Sequence, residues 1–331
     1  MDTRKEKVRA LGLCSGGLDS TLAGLVLRAQ GIEVEWVAFE TPFFSATKAR
    51  KASRATGIPL TVRSIFPAYL AMLRDPPAGY GKFMNPCMDC HALMFRLAGE
   101  IMRERGFDFL FSGEVLGQRP MSQTKPSLRY VEKHSGMDGF ILRPLCAKHL
   151  PETTPERQGL VDRERLLAIH GRGRRDQIAL AEQFGLSDYP APAGGCLLTD
   201  KGFSSRLRDL FDHGAECTES EVHLLRFGRH FRLNPRTKLV VGRTEKDNES
   251  ILRHHDPARD VVLDVRDHPS PICLLQGEAD RDSVRLAAAV CVGYSRAPKL
   301  APADVTVKRG SDEESLQAIA VLPGDIRKLM I

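Results

Sequence analysis

Residues Val8–Ser20 read VRALGLCSGGLDS, and a helical pattern follows through Gln30. Val8–Cys14 is a short apolar run ending in glycines, the pattern of a buried strand. Leu18, Leu22, Leu25 and Val26 then fall on one helix face, and Gly31 supplies the stop signal. The hinge between strand and helix, Ser15-Gly16-Gly17-Leu18-Asp19-Ser20, is expected to hold an anion. Its two glycines permit positive φ and let backbone amides come close to a charged group. The helix start aims its amides and the positive end of its dipole at the same point. Ser15 and Ser20 add hydroxyl donors. Asp19 would repel a phosphate unless Mg²⁺ lay between them, so the loop points to a metal-bound nucleotide. No Gly-Lys-Ser/Thr follows, which sets it apart from the Walker loop.

The pattern continues outward from this hinge. Val34–Phe39 reads as a buried strand, Ser45–Thr56 as a polar helix and Pro59–Ser64 as a strand. His91–Arg105 reads as a helix with Leu93, Leu97 and Ile101 on one stripe, and Phe107–Phe111 as the next strand, ending at Ser112-Gly113. Such alternation predicts an α/β fold, a doubly wound parallel sheet with helices on both faces. Ligands bind such sheets beyond the C-terminal strand ends. Residues 113–160 read as a long functional loop with one strand, Phe140–Arg143, and Asp176–Phe184 reads as a short helix. The connector Tyr189–Gly195 (YPAPAGG) precedes a domain boundary expected near residue 210. Residues 1–210 would then form the nucleotide-binding catalytic domain and 211–331 a smaller α+β domain. In the latter, Lys238–Val241, Asp260–Val265, Ile272–Leu275 and Val305–Lys308 read as strands and Ser283–Cys291 as a helix.

Composition sets the class. The chain has 331 residues, 42% hydrophobic and 27% charged, which suits a soluble protein of two or three domains. No apolar run has the length of a membrane helix, and the charged N-terminus lacks a secretory signal, so a cytoplasmic location is expected. The net charge of +6 is a modest basic excess that permits an acidic partner such as RNA. Eight cysteines in a cytoplasmic chain argue against a disulfide framework. Cys14, Cys146, Cys217, Cys273 and Cys291 read as small buried hydrophobes. Cys87 and Cys90 form a CxxC pair in NPCMDCH, and Cys196 sits after Gly-Gly. These three are open to three readings: incidental cysteines, a structural Zn²⁺ site completed by His91, or ligands to three irons of a 4Fe-4S cluster with the fourth iron left open.

SGGLDS after a first strand resembles the PP-loop ATP pyrophosphatases, of the adenine nucleotide alpha hydrolase-like fold. That resemblance implies cleavage of ATP between its α and β phosphates and transfer of AMP to a carbonyl oxygen. It implies ATP binding by Ser15, Gly16, Gly17, Leu18, Asp19 and Ser20. The NPCxxC segment with a distant third cysteine resembles the PP-loop tRNA thiolases. Some members hold sulfide on a cluster, here on Cys87, Cys90 and Cys196, and others carry a persulfide on one cysteine. Ser112-Gly113-Glu114-Val115-Leu116-Gly117-Gln118, then Ser122-Gln123-Thr124, then Ile141-Leu142-Arg143-Pro144-Leu145 resemble the tRNA 4-thiouridine synthetases. Gly113 permits a tight turn at a strand end, and Gln118, Ser122 and Gln123 offer neutral hydrogen bonds to a nucleotide or base. The resemblance thus implies a tRNA sulfurtransferase with Asp19, Cys87 and Cys196 as its catalytic residues. Its further ATP contacts would be Gly113 and Gln118, and its sulfur would come from sulfide or a donor protein. Formation of 2-thiouridine is an alternative. So is adenylation of a small molecule by an enzyme with structural zinc, and so is a non-catalytic RNA-binding protein. The N-terminal RNA-binding region and the rhodanese domain common in that family are not expected here.

Two basic segments are candidates for RNA. Arg172-Gly173-Arg174-Arg175 is compact, and Arg226–Arg243 contains Arg229, Arg232 and Arg236 with no acidic residue between its ends. Lys238–Ser250 (KLVVGRTEKDNES) resembles an RNA-associated module of ribosome quality-control proteins.

Overall fold

A computed structural model describes residues 7–189, 191, 196–214 and 217–331. The chain divides into two units, Met1–Thr199 and Asp200–Ile331. In the first, the apolar runs become strands β1 (Arg9–Leu13), β2 (Glu33–Glu40), β3 (Leu60–Ser64), β4 (Phe109–Ser112) and β5 (Ile141–Leu142). They form one sheet in the order β3-β2-β1-β4-β5, and all four pairings are parallel. Helices α1 (Leu18–Arg28), α2 (Thr47–Thr56), α3 (Phe66–Arg74), α4 (Cys87–Arg105), α5 (Lys125–His134), α6 (Thr154–Arg157) and α7 (Arg175–Gln183) connect and cover it. The order reverses at β1. The chain winds outward through β2 and β3, then returns through α3 and α4 to place β4 on the other side of β1. Winding outward from β1 in both directions makes the sheet doubly wound. The β1–β4 pair is therefore the switch point, where a crevice opens beyond the strand ends.

The core follows the sequence pattern. Leu18, Leu22, Leu25 and Val26 of α1 are buried with Ala10 of β1, Trp36 of β2 and Phe111 of β4. Two helices depart from the expected reading. Phe66–Arg74 has no counterpart among the expected elements, and Lys125–His134 lies inside the stretch read as loop. Their prolines explain the difference: Pro67 and Pro126 occupy the first helical turn, where a missing N–H costs nothing. Thr124 completes the second start, its hydroxyl oxygen accepting from Ser127 N at 3.2 Å. Helix α4 begins at Cys87 rather than His91, so both CxxC cysteines ride on its first turn.

The second unit starts earlier than residue 210. Helix α8 (Lys201–His213) is capped by Asp200, whose Oδ1 accepts from Phe203 N at 2.7 Å. Helix α9 (Glu219–Leu224) precedes β6 (Arg229–Asn234) and β7 (Thr237–Val241). Arg232 of β6 grips Asp209 of α8 through two hydrogen bonds of 3.0 and 2.6 Å, and this fork ties the helix to the sheet of the second unit. Then come α10 (Glu245–His254), β8 (Val261–Val265), β9 (Cys273–Gly277), α11 (Arg281–Tyr294), β10 (Ala303–Arg309), β11 (Asp312–Ala318) and α12 (Pro323–Ile326). The six strands form an antiparallel sheet in the order β11-β10-β8-β9-β7-β6, with the small-residue face of α11 packed on it. Cys273 and Cys291 are buried in this unit, as Cys14 and Cys146 are in the first, whereas Cys217 is partly exposed. Among the described residues no helix is long and apolar enough to cross a membrane.

Candidate active site

The segments that follow β1 and β4 interlock at the switch point. A Cβ on Gly113 would lie 2.3 Å from Ser20 N and 2.4 Å from Asp19 C, so only glycine lets the β4 segment rest on the start of α1. Gly16 has φ +72° and its missing Cβ would meet the Lys48 backbone at 2.1 Å. Gly17 departs from the expected positive φ. It is extended at φ −80°, the conformation of a helix N-cap. Ser15 Oγ accepts from Gly17 N at 3.3 Å. Ser20 Oγ donates to Gly17 O at 2.9 Å, so this hydroxyl closes the loop on itself before it meets any ligand.

Beside the loop is a cavity of about 610 Å³. It is lined by Ser15, Gly17, Leu18, Asp19 and Ser20 from the first segment, and by Gly113, Gln118 and Gln123 from the second. Arg172 and Arg174 also line it, while Arg175 opens α7 and does not. Sequence reasoning missed Lys48, Arg119 and the aromatic pair Phe39 and Phe44 on its walls. Arg119 had a signal, since it follows Gln118 directly. Lys48 had none, because only the fold brings α2 to the loop. Four cations around one cavity suit a polyphosphate, and apolar rings suit a base. Asp19 is held by Gln118, whose Nε2 donates to Oδ2 at 3.2 Å. Among the described residues its Oδ1 is buried with no partner at ordinary hydrogen-bond distance, and the Gln177 amide is its polar neighbour. Burial raises the Asp19 pKa, opposed by Gln118 and by the charge of Arg174. An orphaned buried carboxylate oxygen at a cationic cavity fits a Mg²⁺ ligand.

The second segment is anchored by a buried ion pair. Arg143 Nε donates to Glu114 Oε2 at 3.0 Å, Ser112 Oγ donates to the same oxygen at 3.1 Å, and His91 Nδ1 lies 2.8 Å from Oε1. Burial opposes the Glu114 charge, but Arg143 and His91 outweigh it and hold the carboxyl at about 2. Arg143 also bonds Glu132 of α5. The Gly-Glu and Leu-Arg-Pro-Leu motifs are thus two halves of one anchor.

Cys87, Cys90 and Cys196 share one neighbourhood. The Leu198 carbonyl accepts from Met84 N at 3.3 Å, tying the Cys196 segment to the approach of α4. Burial pushes all three thiols up, Cys90 to about 12, and the charges of Cys87 and Cys196 act on Cys90. Tyr69, fully buried beside Phe43 and Phe44, bonds Cys90. Arg119, on the cavity wall, draws Cys87 and Cys196 back down and acts on Asp19 as well. The donor set suits a soft metal or an iron–sulfur cluster. Among the described residues no three His, Cys, Asp or Glu side chains stand where they could share one metal ion. His91, a candidate zinc ligand, has its Nδ1 engaged by Glu114. Of the connector before Cys196, residues 190 and 192–195 lie outside the described residues.

The remaining candidates belong to the second unit. Arg229 and Arg232 lie on β6, and Arg236 in the turn to β7. Arg232 is committed to Asp209, and Arg236 pairs with Glu278 at 3.0 Å. Arg229 lies over the Tyr294 ring at 5.0 Å.

Residues 228–329 match the family described as NFACT protein RNA binding domain. The chain is similar to the probable tRNA sulfurtransferase of Ureaplasma parvum serovar 3, with 29% identity over 146 residues, 42% of this chain and 37% of that protein. It is also similar to the tRNA sulfurtransferase of Desulfurococcus amylolyticus, with 30% identity over 142 residues, 41% of this chain and 29% of that one. A predicted tRNA methyltransferase subunit from Methanocaldococcus jannaschii is a structural neighbour at TM-score 0.35 and 13% identity, covering 53% of this chain and 76% of that one. The resemblance carried by the motifs thus extends beyond them to a longer stretch of sequence. The chain spans about a third of the length of the curated relatives it matches.

Proposed function

We propose that this chain is an ATP-dependent tRNA sulfurtransferase that adenylates a uridine carbonyl and exchanges its oxygen for sulfur, forming 4-thiouridine. The observation that carries the reading is the interlock of Gly113 with Asp19 and Ser20 beside the cationic cavity. The similarity to tRNA sulfurtransferases and the RNA-binding match support an RNA substrate.

In this reading Ser15–Ser20 and the cationic walls hold the ATP phosphates, and Asp19 and Gln118 position the Mg²⁺ that screens their charge. The uridine must leave its stack to bring its carbonyl oxygen in line with the α-phosphorus. That oxygen forms a bond to phosphorus, and pyrophosphate departs with the electron pair of the broken P–O bond. The carbon now bears a good leaving group. Hydrosulfide, from sulfide or a sulfur-donor protein, adds to that carbon. AMP leaves with the C–O electrons, and loss of the sulfur proton completes C=S. Cys87, Cys90 and Cys196 are the sulfur-handling residues of this proposal. A 4Fe-4S cluster bound there would supply an open iron for sulfide. Arg175, Arg229 and Arg236 are its candidate phosphate-backbone contacts, since Arg172 and Arg174 line the cavity, and the reaction belongs in the cytoplasm.

Two variants test the reading. Asp19→Ala is expected to abolish pyrophosphate release with tRNA present; full release would overturn the adenylation step. Cys196→Ala is expected to keep ATP binding and pyrophosphate release but lose thiolation, and thiolation at the unaltered rate would remove Cys196 from the chemistry. Iron and acid-labile sulfide measured on anaerobically purified protein decide between cluster and persulfide.

A further inference from the structure

The loop ahead of Cys87 holds a conformation that its sequence does not favour. Among the described residues only Phe83 and Asp267 combine a side chain with a positive φ, +57° and +59°. Aspartate tolerates that region, but a bulky ring there is an outlier that its surroundings must hold in place. They do so on both sides. Gly81 N donates to Asn85 O at 2.9 Å and closes the loop, while Met84 is buried with its N donating to Leu198 O at 3.3 Å. Asp89 of α4 fixes the approach, accepting from Ala78 N at 2.9 Å. The backbone is thus anchored, yet the Phe83 side chain it carries is 40% exposed. Glycine would adopt this backbone without strain, so an exposed phenylalanine here calls for a task of the ring itself.

The neighbours of the ring indicate what it receives. Lys82 Nζ lies 5.5 Å from the Phe83 ring centroid. A Cβ on Gly81 would lie 3.8 Å from Met121 Cε, and Met121 is itself 62% exposed. Met121 is two residues from Arg119 on the cavity wall, and Leu198, which Met84 bonds, is two residues from Cys196. The loop thus touches both the segment of the cavity wall and the segment of Cys196. Residues 76–88 and 117–127 contain Lys82, Arg119 and Lys125 and no acidic residue. Exposed ring and thioether surface framed by cations suits an unstacked RNA base and its phosphates. A protein partner fits less well, because a stable interface covers roughly 800 Å² per side, whereas one ring and one thioether match the size of a base. We propose that Phe83, flanked by Lys82 and Met121, is a stacking platform for an unpaired base of the RNA substrate, next to the uridine that enters the cavity. The proposal rests on the RNA-substrate reading above and adds the surface that receives the neighbouring base.

The test uses the full chain and a short single-stranded RNA carrying 2-aminopurine beside a uridine, whose fluorescence is quenched on stacking. Phe83→Gly suits the positive φ and should not lower the thermal midpoint. It should weaken binding of this RNA about tenfold and abolish the quench. Phe83→Leu keeps an apolar side chain without a π face and should weaken binding by a similar factor. Phe83→Trp should bind at least as tightly as the parent, with the quench intact. A non-cleavable ATP analogue should bind the parent and all three variants alike. RNA affinity within about twofold of the parent in both Phe83→Gly and Phe83→Leu would overturn the platform and leave the RNA reading standing. Loss in Phe83→Gly but not in Phe83→Leu would mean apolar contact without stacking, which also overturns it. Unchanged RNA affinity with slower sulfur transfer from a donor protein, but not from free sulfide, would make the loop a protein-docking surface instead. If the parent binds neither this RNA nor unfractionated tRNA, the RNA reading itself fails.

Discussion

Gly113 shows how little room the site allows. Any Cβ there must displace the backbone of Asp19 and Ser20, which can move only by shifting the start of α1. Gly113→Ala is therefore expected to cost about 1–3 kcal/mol and to weaken Mg·ATP binding about tenfold, read by calorimetry with a non-cleavable analogue. Glu114 makes a second case. Glu114→Gln leaves Arg143 buried with its main countercharge gone, at a cost of about 3–5 kcal/mol in denaturant unfolding. The pH dependence has a definite sign. The folded carboxyl sits near 2 against an ordinary 4.5, so its stabilisation is complete above about 4.5 and is lost as pH falls toward 2. The stability gap between the parent and Glu114→Gln should close across that window. A gap that stays constant would mean that Glu114 contributes through shape rather than charge. At this scale the sequence showed which residue types matter, but not their partners. Nothing in the spacing of Glu114 and Arg143 marks them as a buried pair, because the contact runs between segments that meet only in the sheet.

Elements were legible where periodicity was long and obscure where a start signal resembled a loop. The apolar stripes of α1 and α4 and the strands of the parallel sheet stand in the sequence nearly as in the structure. Helix α5 does not, since Thr-Lys-Pro-Ser reads as a turn until Pro126 is placed in a first helical turn. Helix α8 matters most, because its start sets the boundary between the units. Asp200→Ala removes its cap and should cost about 1 kcal/mol of stability, seen as a lower denaturant midpoint at unchanged slope. No change would mean that the fork between Arg232 and Asp209 alone fixes the helix. The start of α4 at Cys87 has a chemical consequence: both CxxC thiols sit at a helix N-terminus, whose dipole opposes the rise caused by burial.

The two units divide the proposed work. Mg·ATP at a hundred times its dissociation constant should stabilise the unit that binds it by about 2.7 kcal/mol. Amide exchange should then slow in residues up to Thr199 and stay unchanged in the second unit. Slowing across both would show that nucleotide binding couples them. In the second unit Arg236 gives the cleaner probe of RNA contact. Its pair with Glu278 is exposed on both sides, so Arg236→Ala should leave stability within about 0.5 kcal/mol. If Arg236 meets phosphate, the substitution lowers the salt slope of tRNA binding by about 1. Arg232 would mislead such a test, because losing its grip on Asp209 disturbs α8.

By itself the sequence determined the class of fold, the glycine-rich hinge between the first strand and helix, and the three unusual cysteines, because those depend on local periodicity and on residue types within a few positions. Only the tertiary structure decided what meets what. The strand order put β1 beside β4 and so laid Gly113 on Asp19. Helix packing brought Gln177 to the same carboxylate and the α2 backbone to Gly16. The physical reason is that hydrophobic burial, which is non-directional, selects the packing, and the packing then delivers distant polar groups to one place.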